Sequence, residues 1–252
     1  MADSHDNHLQ GRVSVITGAS SGIGAATARA LAAAGFHVVL GARRVDRCEA
    51  IAKEIDGTAL PLDVTDRASV TEFVAAVPES VRVLVNNAGG AKGLEPVEEA
   101  DEADWTWMFE VNVLGTLRVV QGLLPKLRAS GDGHIVTVTS IAALAPYDKG
   151  AGYTGAKHAQ ALLHRTLRTE LLGEPIRLTE ILPGMVETEF SLVRLGDQEK
   201  ADNVYKGLTP LTAEDVADVI AFATTRPSHV NLDQIVLKPR AQADAMRAYR
   251  ES

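Results

Sequence analysis

Val13-Ser14-Val15-Ile16-Thr17-Gly18-Ala19-Ser20-Ser21-Gly22-Ile23-Gly24 is the stretch that decides the fold of this chain. A short apolar run ends in three spaced glycines and passes straight into the Ala-rich segment Ala25–Ala34. A strand that turns through glycine into a helix is a device for holding phosphate. Glycine allows the tight turn and a close backbone approach to a pyrophosphate, and the N–H groups of the new helix point at the anion. Taken alone, the same spacing also suits a strand-to-helix turn with no ligand. The surroundings favour the phosphate reading, because a second apolar strand, Phe36-His37-Val38-Val39-Leu40, completes a βαβ-sized unit. The group that ends this second strand then names the cofactor, and the position carries Arg43-Arg44. A site for NAD offers a carboxylate there to the ribose 2′-hydroxyl. Two guanidinium forks instead suit a 2′-phosphate, so the expected cofactor is NADP(H). The nearby carboxylate of Asp46 falls in the next helix.

Outward from this unit, strand and helix patterns alternate. Strands are expected at Val13–Thr17, His37–Gly41, Thr58–Pro61, Val83–Asn86, Ile135–Thr139, Arg177–Leu182 and Gln234–Leu237, with helices at Gly22–Ala34, Val45–Glu54, Ala68–Ala76, Glu102–Ala129, Tyr153–Leu172 and Ala213–Thr225. The alternation predicts an α/β fold: a single doubly wound Rossmann domain over residues 11–240, with a parallel seven-stranded sheet and helices on both faces. Residues 1–10 read as a disordered start and 241–252 as a C-terminal tail. Gly184–Thr212 lacks a periodic pattern, and irregular segments of that length are usually functional lids or binding loops.

The 252 residues carry a net charge of −8, which argues against a nucleic-acid or membrane partner through bulk electrostatics. Cys48 is the only cysteine, so neither a disulfide framework nor a cysteine metal site is expected, and no metal centre is. The first ten residues are polar and unlike a secretory signal. Arg29 and His37 interrupt the most apolar stretch, so no membrane span is expected either. The simplest compartment is the cytosol.

Tyr153-Thr154-Gly155-Ala156-Lys157 puts a phenol and an ammonium on one helix face. A tyrosine with a pKa of about 10 is a poor acid–base group at neutral pH, and a nearby cation lowers that value. The pair alone suits a surface contact. However, the preceding strand His134–Thr139 ends on the hydroxyl of Ser140, and strand carboxyl ends face the ligand crevice in doubly wound sheets. Asn86-Asn87-Ala88-Gly89 closes the fourth strand at the same edge, where an asparagine pair suits strand bridging and ribose contact. Asn112 lies among Val111, Val113 and Leu114, so its amide is expected to be buried and partnered.

These marks together make the chain resemble the short-chain dehydrogenase/reductase family from about Leu9 to Arg240: Thr17–Gly24, Asn86–Gly89, Asn112, Ser140, Tyr153 with Lys157, and Pro183-Gly184. The resemblance implies Tyr153 as general acid/base, Lys157 as its pKa partner and ribose ligand, Ser140 as donor to the substrate oxygen, and Asn112 as holder of a relay water. It also implies cofactor contacts at Gly18, Ser20, Ser21, Gly22, Ile23, Gly24, Arg43, Arg44, Asp63, Val64, Asn87, Ala88, Gly89, Tyr153, Lys157, Pro183, Gly184, Val186 and Thr188. Glu187–Arg194, Gly196-Asp197, Tyr205 and Ser228–Leu232 further resemble the NADP-dependent 3-hydroxy acid (serine-type) dehydrogenases. Two departures stand out: the strand Ile135-Val136-Thr137-Val138-Thr139 before Ser140 lacks the asparagine commoner in the family, and Lys238-Pro239-Arg240 replaces an apolar ending of that subgroup.

The implied activity is hydride transfer between the nicotinamide and a small alcohol or carbonyl compound, best matched by a 3-hydroxy acid. A 3-oxoacyl-thioester reductase, a natural-product aldehyde reductase and a non-enzymatic NADP-sensing scaffold are the alternatives. Ser140, Tyr153 and Arg194 are the candidate substrate contacts. Arg194, in the lid, suits a substrate carboxylate and equally a surface pair with Asp197 or Glu199. The resemblance implies a homotetramer, in keeping with a wide apolar arc of Ala159, Leu162, Leu163, Leu167 and Leu171 on the Tyr153 helix.

Overall fold

The computed structural model describes residues 12–251; the expected disordered start falls outside them, apart from which the chain follows the βα alternation. In chain order come β1 (Val13–Thr17), α1 (Gly22–Ala33), β2 (His37–Ala42), α2 (Val45–Ile55), β3 (Thr58–Pro61), α3 (Arg67–Ala76) and β4 (Val83–Asn86). The second half holds α4 (Glu102–Phe109), α5 (Gly115–Ala129), β5 (Gly133–Val138), α6 (Ala151–Glu170), β6 (Ile176–Pro183), α7 (Glu189–Leu195), α8 (Gln198–Tyr205), α9 (Ala213–Thr224) and β7 (Gln234–Leu237). All seven strands are parallel, in the order β3-β2-β1-β4-β5-β6-β7. The order reverses between β1 and β4, and ligands of doubly wound sheets bind at that switch point.

The strands β1, β4, β5 and β6 are buried along their whole length, and polar side chains within β5 and β6 are paired, His134 with Thr179 and Glu180 with Thr139. Two cores result. Leu84, Ile135 and Leu178 pack one sheet face against Phe73, Leu123, Leu127 and Leu167 of α3, α5 and α6. On the other, Ile16, Leu40, Val85 and Ile181 meet Leu31, Cys48, Val216 and Ile220 of α1, α2 and α9. Local chemistry sets the helix starts: Asp66 and Asp101 accept bonds from the first turns of α3 and α4, and Thr212 and Asp215 form a capping box on α9.

Three expectations need correction. The long helix Glu102–Ala129 is interrupted by a π-turn at Glu110–Leu114, because the Asn112 side chain bonds to carbonyls and widens the coil there. The Tyr153 helix begins earlier, at Ala151. The lid is not irregular: Thr188 and Asp197 cap two short helices, and Gly196, at φ +63°, ends the first. The apolar arc on the Tyr153 helix has two sides. Leu167 and Leu171 lie in the core, whereas Leu162 is 66% exposed. No helix among the described residues is long and apolar enough to cross a membrane.

Candidate active site

The carboxyl ends of β1, β4, β5 and β6 open into one groove of about 610 Å³, bounded by the lid and by the tail residues Gln242 and Ala245. Its floor at β1 is built from glycine for steric reasons. Gly18 has φ +66°, and a Cβ there would stand 2.9 Å from the Ala88 Cα. A Cβ on Gly24 would stand 2.4 Å from the Gly18 carbonyl oxygen. Gly24 therefore serves close packing and does not line the groove, while Gly18, Ser20, Ser21, Gly22 and Ile23 do. Thr17 and Asn87 lock this turn to β4. The Thr17 hydroxyl accepts from the N–H groups of Asn87 and Ala88, both at 3.0 Å, and the Asn87 amide donates to the carbonyls of Thr17 and Gly18 at 3.0 and 3.2 Å. Asn86, by contrast, is buried and makes no strand bridge.

At the β2 end, Arg43 and Arg44 line the groove opposite Asp63 and Val64. Arg44 uses its whole fork. It donates to Ser21 Oγ at 2.7 Å, to Ser20 Oγ at 3.3 Å and to Glu189 of the lid at 2.9 Å. Arg47 donates to the other oxygen of Glu189 at 2.8 Å, and these bonds from Arg47 and Arg44 hold the Glu189 carboxyl down to about 2. Nothing in the local pattern of either segment announces this pairing, which spans more than a hundred residues of sequence.

The other end gathers the expected acid–base set. Ser140 ends β5 with its hydroxyl accepting from the Ala142 N–H at 3.1 Å. Tyr153, Lys157, Gly89, Pro183, Gly184, Val186 and Thr188 share the groove with it. Burial raises the Tyr153 phenol above its ordinary range, and Tyr147 adds to this; the Ser140 hydroxyl and the Arg194 guanidinium draw it back. Burial also pushes the Lys157 ammonium down to about 7, against the pull of Glu180. The ammonium lies 5.8 Å from the Tyr153 ring centre.

Asn112 is fully buried and does not line the groove. Its amide donates to the carbonyls of Gly90 and Met108 at 2.9 and 2.7 Å and accepts from the Gly90 N–H at 3.2 Å. Its main-chain oxygen accepts from the Thr116 hydroxyl at 2.8 Å.

Arg194 is not a surface residue paired with Asp197 or Glu199. Asp197 caps α8 instead, and among the described residues no carboxylate lies within salt-bridge distance of Arg194. The guanidinium points into the groove, 5.4 Å from the Tyr153 ring centre, donating to Gly93 O at 3.1 Å and to the Tyr147 hydroxyl at 3.0 Å. Tyr147, Trp107 and Gln242 also line the groove and were not singled out by the sequence patterns. They sit in loops or at single helical positions with no periodic signal. His158 and His164 bond to Thr154 O and Thr137 Oγ1, away from the groove.

The lid is anchored along its length. Besides Glu189 and Arg194, the Tyr205 hydroxyl donates to Val186 O at 2.8 Å, Gln242 accepts from the Met185 N–H at 2.9 Å, and Arg250 donates to Val204 O at 3.0 Å. A groove with a Cβ-free turn at one end, an arginine fork beside it and a buried phenol–ammonium pair at the other fits a bound dinucleotide in length and chemistry.

The family model described as short chain dehydrogenase matches residues 12–198. An uncharacterized oxidoreductase of Mycobacterium tuberculosis is 68% identical over 94% of each chain. A sulfoacetaldehyde reductase of Chromohalobacter salexigens is 43% identical over 90% of this chain and 94% of its own. Among solved structures, the closed form of serine dehydrogenase complexed with NADP+ superposes with a TM-score of 0.89 at 34% identity, covering 95% of this chain and 100% of that one. The chain belongs to the short-chain dehydrogenase family and is an oxidoreductase related to its serine and 3-hydroxy acid dehydrogenase subgroup.

Proposed function

We propose that this protein is an NADP(H)-dependent oxidoreductase whose small alcohol or carbonyl substrate carries a negative charge, a 3-hydroxy acid above all. The observation that carries the reading is Arg194, a guanidinium without a carboxylate partner fixed 5.4 Å over the ring of Tyr153. A carboxylate on that fork places a hydroxyl two or three bonds away within reach of the phenol and of Ser140. The relatives support an anionic substrate, since serine and sulfoacetaldehyde both carry an acidic group.

Each residue then has a definite task. Arg43 and Arg44, with Ser20 and Ser21, would hold the 2′-phosphate, Gly18–Gly22 the pyrophosphate, and Thr188 with Val186 the nicotinamide end of the cofactor. When bound, the nicotinamide supplies the hydride acceptor or donor. Ser140 donates to the substrate oxygen. Tyr153 removes the hydroxyl proton during oxidation and returns it during reduction. Lys157 stabilises the phenolate with its charge. The lid, tied down through Glu189 and Arg194, excludes water from this exchange. The exposed Leu162 on α6, with half-exposed Trp105 and Phe109 on the neighbouring α4, supports the homotetramer that the family resemblance implies. The buried, unpaired thiol of Cys48 is in keeping with a cytosolic location.

The test is a panel of 3-hydroxy acids and neutral alcohols of similar size, each followed by NADPH absorbance and repeated with NAD+. Wild type should favour NADP+ and the acids. Tyr153→Phe should lose about 10²–10⁴-fold in kcat while still binding NADP+. Near-normal turnover in that variant, or no preference for acids, overturns the reading.

A further inference from the structure

We propose that Gln160 is a positioning residue for catalysis: it holds the Lys157 ammonium toward the groove through a protein hydrogen-bond chain anchored in the π-turn. The inference rests on Tyr153 and Lys157 being the acid–base pair. The chain is continuous and every member is buried. Lys157 Nζ donates to Gln160 Oε1 at 2.8 Å, Gln160 Nε2 donates to Thr116 Oγ1 at 2.9 Å, and Thr116 Oγ1 donates to the Asn112 main-chain oxygen at 2.8 Å. Asn112 in turn is fixed by Gly90 and Met108.

The direction of the chain is forced. A lysine only donates, an amide oxygen only accepts and an amide nitrogen only donates. Turning the Gln160 amide over would set its NH₂ against the ammonium, so Oε1 faces Lys157. The Thr116 hydroxyl has its proton on Asn112 O and therefore offers a lone pair to Gln160. Of the three N–H bonds of Lys157, one goes to Gln160 and one to Val138 O at 3.2 Å, which leaves the third for the groove it shares with Tyr153. A side-chain path from Asn112 to Lys157 runs through Thr116 and Gln160. Gln160 lies one turn beyond Lys157 on α6, and its acceptor has the ammonium as partner.

The acceptor matters because the ammonium is buried. Among the groups facing it, Tyr153 and His164 lie on its own helix, Glu180 approaches from β6, and Arg194 and Tyr147 stand across Tyr153. β4 and the near end of β5 bring only amides and hydroxyls, and Glu110 of the π-turn is paired with Arg118. Removing the Gln160 oxygen leaves a buried N–H without a partner and favours the neutral amine. The Lys157 nitrogen is then no longer held toward the groove, the Tyr153 phenolate loses the N–H that faces it, and the phenol titrates at higher pH.

Ultraviolet difference titration of tyrosinate, with NADP+ bound and each protein read against its own Tyr153→Phe counterpart, tests this directly. Gln160→Met should raise the Tyr153 titration by about one pH unit, the worth of one hydrogen bond to a charged group. Thr116→Val should shift it in the same direction by less, and Thr116→Ser, which keeps the hydroxyl, should restore the wild-type value. The Thr116 pair carries the test if Gln160→Met does not fold. A Gln160→Met titration that overlays wild type, or equal shifts in Thr116→Val and Thr116→Ser, overturns the proposal. If Tyr153→Phe keeps its turnover, the acid–base reading itself has failed, whatever Gln160 does.

Discussion

Replacing Arg194 by alanine separates the two jobs that its position gives it. The guanidinium ties the lid to Gly93 and Tyr147, and it stands over Tyr153 with part of its fork free for substrate. The tie is made by a charged donor to two neutral acceptors, so its loss should cost about 1–2 kcal/mol per bond and act on every substrate alike. A substrate carboxylate is different. A charge-assisted bond in a half-buried groove is worth about 1.5–3 kcal/mol, which is about 10- to 150-fold in KM, and only acids forfeit it. Arg194→Ala should therefore raise KM for a 3-hydroxy acid about 10- to 100-fold more than for a neutral alcohol of the same size. The guanidinium also lowers the Tyr153 phenol. Its removal should move the rising limb of the oxidation rate to higher pH for both substrate classes, because a base must lose its proton to act. Arg194→Lys keeps the charge without the fork and should fall between. The assay is initial-rate NADPH formation across pH with paired acid and neutral substrates. If both classes lose equally in KM, Arg194 is a lid fastener only and the anionic-substrate reasoning is refuted.

Arg44→Ala should weaken NADP+ binding at least tenfold with little change for NAD+, measured by fluorescence titration; equal loss for both cofactors would deny it the 2′-phosphate. The Glu189 latch has a defined pH window. Its carboxyl is depressed to about 2, so the stabilisation is full above the ordinary value of 4.5 and fades as pH falls from there toward 2. Because both partners are over 40% exposed, solvent screening keeps the effect under about 1 kcal/mol. Hydrogen exchange over Glu189–Leu195 should accelerate in that window and, in Glu189→Gln, be fast already at neutral pH; lid exchange in that variant matching wild type would remove the latch. Phe73→Ala, in the core beside Gly41, should cost about 3–5 kcal/mol in urea unfolding without altering kcat at low temperature. A loss below 1 kcal/mol would mean that the core there collapses freely.

Legibility followed the range of the forces involved. β1 and its glycine turn were readable to the residue because a parallel strand buried on both faces is mostly apolar, and because Gly18 and Gly24 stand where a Cβ would strike backbone. That Ser140, Tyr153 and Lys157 share the groove was readable for a related reason: they are tied to a strand end and a helix start that pattern locates. The π-turn was not, since one carbonyl-bonded Asn112 shifts the coil without changing its apolar period. Arg194 was visible as the only cation of Glu187–Leu195, yet its direction was open, since nothing local tells a guanidinium whether to turn toward Asp197 or toward Gly93, a hundred residues away. Glu189 entered only as part of a family-like stretch with no role of its own, and Gln160 did not enter at all. Both look like ordinary polar positions on helices, and their meaning lies in partners, Arg44 and Arg47 for one, Lys157 and Thr116 for the other. For Gln160 one clue did exist. A glutamine three residues after a lysine, among Ala156, Ala161 and His164 on the inner face of α6, is a polar group on a buried stripe, and buried amides have partners. Asking which group could satisfy its oxygen leads to the lysine one turn back.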